Sequence, residues 1–137
     1  MKKSAISITA FVFLFTAPCV SFAGDAPKSV PGATTVHAAG AKNLFDKGVP
    51  FVDVRGDEDY KDGHIKGAIH LELKGVLSYE SLSAKIKKDQ EVVFYCNGPK
   101  CGLSSHACEK AVGWGFTKVY YYYDGFPDWK SKGYPVE

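Results

Sequence analysis

Two short stretches constrain the fold most: Phe51 to Val54 (FVDV) and Val92 to Tyr95 (VVFY). Both are nearly unbroken runs of β-branched and aromatic residues. A strand with one wet face alternates apolar with polar side chains, whereas a strand covered on both faces does not need to. Runs of this kind predict parallel strands sandwiched between helices. The rest of the chain keeps the matching rhythm. TTVH, AAGAKNLFDKG, PFVDV, DEDYKDG and GAIHLEL alternate strand-like and helix-like segments, and YESLSAKIKK, EVVFYC, LSSHACEKAVGWG, KVYYYYD and FPDWKSKG repeat the alternation. The expected fold class is therefore α/β, a small, mainly parallel β-sheet with helices on both faces. In such sheets ligands sit outside the carboxyl ends of the strands, where a strand hands over to a helix. Cys96 occupies that place, after EVVFY and before a helix expected from about Leu103.

The N-terminus sets the compartment and the charge. Lys2 and Lys3 precede an apolar run around AFVFLF, and Ser21, Phe22 and Ala23 fit a small-x-small cleavage site, so 1–23 reads as a secretory signal peptide. Pro18, next to Cys19, disfavours a lipid anchor there. The expected destination is outside the cytoplasm, in the bacterial periplasm. Cleavage leaves 137 − 23 = 114 residues and removes two lysines, so 17 − 2 = 15 basic residues meet 15 acidic ones and the charge falls from +2 to zero. Neither nucleic acid nor an anionic membrane is expected as a partner. Residues 24–33, GDAPKSVPGA, read as a flexible tail, and 34–137 as one domain. A domain of this size buries a core without disulfide staples. The three cysteines left after cleavage are therefore no framework, and their odd number leaves at least one thiol unpaired.

The stretch YCNGPKCGLSSHAC, residues 95–108, carries the chemistry. Backbone N–H groups of a strand-to-helix loop converge, and the helix beyond adds its positive end, so a sulfur held there is favoured as an anion. On this reasoning the Cys96 thiol is lowered and nucleophilic. Gly98 and Gly102 permit a tight path, Pro99 stiffens it, and Lys100 adds a cation. Cys101 admits three readings: a partner in a reducible disulfide, a second thiol in the cradle, or a residue that shapes the loop. No metal is expected, because Cys96, Cys101, His106 and Cys108 crowd one loop and one helix and lack two separated ligand pairs. A stripe of Leu103, Ala107, Ala111 and Trp114 would turn His106 outward and leave Cys108 at its edge. Asp53 and Asp57 read as ion-pair partners of Arg55, His64 and His70 as turn and strand residues, and His37 belongs to no motif. Tyr120 to Tyr123 are expected to supply aromatics to both helix layers, and Trp129 to sit in the core.

FVDVRGDEDYKDGHIKGAIHLEL, then VVFYC with a glycine-bearing loop, and a closing GFPDWKSKGYPV together resemble the rhodanese-like family of sulfurtransferases. The likeness runs from about Thr34 to the C-terminus. It implies that Cys96 is the nucleophile, taking a sulfane sulfur from thiosulfate or a persulfide donor, holding it as a persulfide, and passing it to cyanide or a thiol. No cofactor is implied, and an exported sulfur-carrier protein is a possible partner of such a chain. The loop made of Asn97, Gly98, Lys100, Cys101, Gly102 and Leu103 would bind the substrate, with Asp53 and Arg55 tying the fold nearby. It is similar to the longer-loop exported branch, Cys-Asn-Gly-Pro-x-Cys-Trp-Arg-Ser, but Gly102 and Leu103 stand where that branch has tryptophan and arginine. Arg55 is the chain's only arginine. Without a bidentate arginine in the loop, phosphoryl transfer is disfavoured, and weak thiosulfate turnover with preference for a persulfide donor is expected. The alternatives are a catalytically weak rhodanese-like binding or sensing module, and a thiol-disulfide factor using Cys96 and Cys101.

Overall fold

The computed structural model describes residues 24–137, so the signal-peptide reading of 1–23 lies outside the described residues. Five parallel strands, β1 (Ala33–Val36), β2 (Phe51–Asp53), β3 (Ile69–His70), β4 (Val92–Tyr95) and β5 (Val119–Tyr122), form one sheet in the order β1-β5-β4-β2-β3. Helices α1 (Ala38–Asp46), α2 (Asp57–Asp62), α3 (Tyr79–Ser83), α4 (Leu103–Gly113) and α5 (Gly125–Ser131) connect and follow them. The α/β class expected from the apolar runs is the one observed.

β4 lies at the centre, and its four residues are fully buried because successive side chains enter opposite layers. Val92 and Phe94 join Leu82 of α3 and Ala107, Cys108 and Ala111 of α4 in one core. Val93 and Tyr95 join Ala41 and Leu44 of α1 and Phe126 and Trp129 of α5 in the other. Tyr121 and Tyr122 divide between the two layers in the same way, as expected of the tyrosine run, and Trp129 is a core residue.

Three expectations need correction. Residues 24–33 are not detached from the domain: Val30 is 2% exposed within the α4-side core. Tyr121 donates to the Pro27 carbonyl at 2.9 Å, Thr35 donates to that of Lys28 at 3.0 Å, and the Ala26 N–H donates to Pro99 in the loop after β4. A Pro- and Gly-rich segment makes few hydrogen bonds of its own, so its carbonyls accept from neighbours once an apolar anchor such as Val30 seats it. α3 is shorter than YESLSAKIKK, because Lys85 donates back to Leu82 in an i to i−3 bond that tightens and ends it. In α4 the buried face is Ser104, Ser105, Ala107, Cys108 and Ala111, while Leu103 and Trp114 are half-buried. The face is turned toward the serines because Ser104 is held against Cys96.

Candidate active site

Cys96 follows β4 directly, and its side chain is 0% exposed. Its Sγ donates to the carbonyl of Cys101 at 3.1 Å, and Ser104 Oγ lies 3.1 Å from the same sulfur. Cys101 is half-buried, and both thiols are free. The loop returns to Cys96 through a turn in which the Cys101 N–H donates to the Gly98 carbonyl at 2.9 Å. α4 begins at Gly102 with no side-chain cap. Its unpaired N–H groups are instead shared by the sulfurs: Ser104 faces Cys96, while Leu103, with Asn97 of the loop, faces Cys101.

This division alters the expected electrostatics. The hydrogen bond with the Cys101 side chain, followed by burial, pushes the Cys96 thiol up, with Ser104 opposing. The same bond from Cys96, reinforced by the Asn97 and Leu103 N–H groups, pulls Cys101 down. The Cys101 thiol is thus the more readily ionised of the two. The sequence argument expected the lowered thiol at Cys96. It assigned the converging donors to one sulfur, whereas the longer loop brings a second, more exposed sulfur to compete for them.

Beneath the loop lies a buried polar network. Arg55, 3% exposed, clamps Asp53 through Nε at 3.0 Å and Nη2 at 2.7 Å. Nη2 also donates to the Gly63 carbonyl at 2.7 Å, and Nη1 to Asn97 Oδ1 at 3.1 Å. Asn97 Nδ2 passes the link on to Asp59 at 2.9 Å. Tyr95 donates to Asp53 at 2.7 Å and accepts from the Ile65 N–H at 3.1 Å. Arg55 thus serves the loop through Asn97, not only the fold through Asp53. Asp57 is no partner of Arg55: it is exposed and lies 3.5 Å from His70 and 3.7 Å from Lys61. Among the described residues, no buried side-chain nitrogen or oxygen lacks a partner.

Two glycines fix the loop's path. Gly98 has φ 103°, and a Cβ there would meet the Asp124 carbonyl at 2.7 Å. Gly125 has φ 71°, and its Cβ would overlap Gly98 N and Cys96 O. This close approach lets the Phe126 N–H donate to the Cys96 carbonyl at 2.8 Å. Gly102 is different. Its φ is −79°, and a Cβ would meet only the ring of His106 at 3.8 Å.

Of the residues expected at the site, Cys96, Cys101, Asn97, Gly98, Asp53 and Arg55 form one connected assembly. Lys100 is exposed and, with Gly102, Ser105 and His106, lines a separate cavity of about 520 Å³ against residues 24–27. Leu103 contributes its N–H rather than its side chain. Cys108 is buried, its thiol pushed up by burial, and His106 points outward to Glu109 at 3.2 Å. Ser104, Tyr95, Asp59 and Gly125 were not singled out from the sequence. Only Gly125 had a signal, a glycine just before the helix start in GFPDW.

A family model described as a rhodanese-like domain matches residues 37–132. The chain belongs to the rhodanese-like domain family. Among its relatives are a thiosulfate sulfurtransferase of Coxiella burnetii, 33% identical over 84 residues that cover 61% of this chain and 73% of the relative. An HTH-type transcriptional regulator of Mycobacterium tuberculosis is 34% identical over 89 residues, 65% of this chain and 38% of the regulator's own length. A Bacillus halodurans protein of solved structure aligns with a TM-score of 0.68 at 27% identity, covering 77% of each chain. Sulfurtransferase relatives support a sulfurtransferase-type enzyme at the level of the family.

Proposed function

We propose that this rhodanese-like chain is a sulfurtransferase in which Cys96 carries a sulfane sulfur as a persulfide. The observation that carries the reading is the placement of the Cys96 sulfur at the end of the central strand, with the N–H of Ser104 and the hydroxyl of Ser104 directed at it. Transfer begins when Cys96 loses its proton to solvent as the donor enters. The Cys96 thiolate then attacks the outer sulfur of thiosulfate or of a persulfide R–S–S⁻, and sulfite or R–S⁻ leaves. In the second half, cyanide or a thiolate attacks the sulfur held on Cys96 and departs as thiocyanate or a new persulfide. This is covalent catalysis in two displacement steps, and the helix N–H groups stabilise the anion in each.

The donor preference follows from what faces the sulfurs. Thiosulfate brings two negative charges, and Arg55, the chain's only arginine, is occupied by Asp53, Gly63 and Asn97. A persulfide donor brings a single charge at its reacting group and is the favoured substrate class. Acceptors are small thiols, or a sulfur-carrier protein in the same compartment, and the leader pattern at 1–23 supports export to the periplasm. Initial rates with thiosulfate and with glutathione persulfide, each with cyanide as acceptor, test the preference. The expected result is a higher kcat/KM for the persulfide. Equal or greater efficiency with thiosulfate contradicts it.

A further inference from the structure

Cys101 does more than the two displacement steps require. A loop that served only to hold one sulfur has no need of a second, yet the free Cys101 stands beside Cys96, its carbonyl accepting from Cys96 Sγ at 3.1 Å. The folding of the chain makes the second sulfur unavoidable. Gly98, in the left-handed region, and the Cys101 N–H to Gly98 carbonyl turn bring residue 101 back over residue 96. Cys96 is sealed from solvent, whereas Cys101 is half-exposed and its carbonyl accepts from Cys96 Sγ at 3.1 Å. The third thiol, Cys108, is buried in the α4-side core, with its Sγ 3.9 Å from the Tyr120 carbonyl.

We infer that Cys101 is a resolving nucleophile that converts the Cys96 persulfide into a Cys96–Cys101 disulfide with release of hydrosulfide. This rests on the reading of Cys96 as persulfide carrier and adds a second outcome to it. The Cys101 thiolate attacks Cys96 Sγ, the new Sγ–Sγ bond forms as the bond to the sulfane sulfur breaks, and that sulfur leaves with the electron pair as HS⁻. The two cysteines are oxidised by two electrons in total and the sulfane sulfur is reduced by two. A dithiol, or two equivalents of a small thiol, then reduces the disulfide and resets the site. The net activity is thiol-dependent release of sulfide from sulfane donors, in competition with transfer to an acceptor.

The two thiolates suit these separate roles. The Cys101 thiol is pulled down, first by the Cys96 side chain and then by the Asn97 and Leu103 backbone, and an attacking thiolate must be ionised. Added sulfur on Cys96 must also occupy space close to Cys101, because Sγ already contacts the Cys101 carbonyl and the Ser104 hydroxyl at 3.1 Å each. The site thus keeps the second thiol of the branch it resembles, with Leu103 in place of that branch's arginine.

The test uses the reduced protein from Gly24 to Glu137, mixed with a single equivalent of thiosulfate or glutathione persulfide and no acceptor. Expected for the wild type are one hydrosulfide per chain, loss of two alkylatable thiols, and a disulfide mapped to Cys96 and Cys101. Cys101→Ser is expected to hold the added sulfur on Cys96 and to release under about a tenth as much sulfide until a thiol is added. A wild-type protein that retains its added sulfur while Cys101 stays open to alkylation overturns the resolving role and leaves Cys96 as carrier. Absence of added sulfur on Cys96 in Cys101→Ser, or sulfur found on Cys101 in Cys96→Ser, overturns both readings. The wild-type arm needs no variant to fold.

Discussion

Arg55 and Cys101 both meet the loop after β4, and their bonds do different work. Arg55 is sealed, clamped by Asp53 and joined to Gly63 and Asn97, so each of its bonds fixes geometry. Cys101 is half-exposed and its thiol is pulled down beside Cys96, so its surroundings set reactivity. A buried charge pair is tolerable only with near-complete compensation, and this network is complete among the described residues. The other side is left chemically unfinished, with two free thiols beside one another. The contrast shows how a small domain keeps a reactive group in place: a rigid floor permits a labile rim.

The contrast can be broken most forcefully at the sulfur itself. Cys96→Ser should lower sulfur transfer by about a thousandfold or more, to background, because the covalent step loses its nucleophile. Melting of the same variant should shift little, which separates the two sides. On the floor, Arg55→Ala leaves the Asp53 carboxylate buried without its partner and should cost about 3–5 kcal/mol in urea denaturation. A loss under about 1 kcal/mol would mean that the network carries no such load.

Glycine substitutions sharpen the same boundary. Gly125→Ala forces a Cβ into Gly98 and Cys96 at a left-handed φ, and should cost about 2–3 kcal/mol. Gly102→Ala, whose Cβ meets only His106 at 3.8 Å, should stay within about 0.5 kcal/mol of wild type. Equal effects at both positions would show that the loop is not docked on the start of α5.

Smaller effects belong to the rim. Leu103→Arg restores a cation at the start of α4 and should raise kcat/KM for thiosulfate by about tenfold, the scale of one charge-assisted hydrogen bond. No gain would mean that side chains at 103 do not reach the donor. The pair of thiols has its own signature in pH. Cys101 is pulled down to about 6, so its thiolate is present above that pH and lost below it. Alkylation of Cys101 by iodoacetamide should therefore rise through pH of about 6, whereas Cys96, pushed up, should label only at much higher pH. Coincident profiles for the two would contradict the division of donors.

Much of the floor was legible because it follows from period and composition. FVDV and VVFY could only be strands covered on both faces, and their carboxyl ends locate Cys96 and Asp53 without any contact being known. Arg55 was legible as a tie to Asp53, but its bond to Asn97 spans 42 residues of chain, and no local pattern records it. The packed segment 24–33 was missed because composition reports what a stretch cannot do alone, not what neighbours do for its carbonyls. Cys101 was legible as a second cysteine but not as the more readily ionised sulfur. That depends on which N–H groups each sulfur meets once Gly98 has turned the loop back, and loop direction is not encoded by periodicity.

The central claim is that Cys96 takes up a sulfane sulfur, and intact mass with peptide mapping measures it most directly. Cys101→Ser, which cannot resolve the product, should gain one sulfur atom after brief exposure to glutathione persulfide, located on Cys96 and removed by cyanide with stoichiometric thiocyanate. An unchanged mass, or a sulfur located on any other residue, would contradict the account.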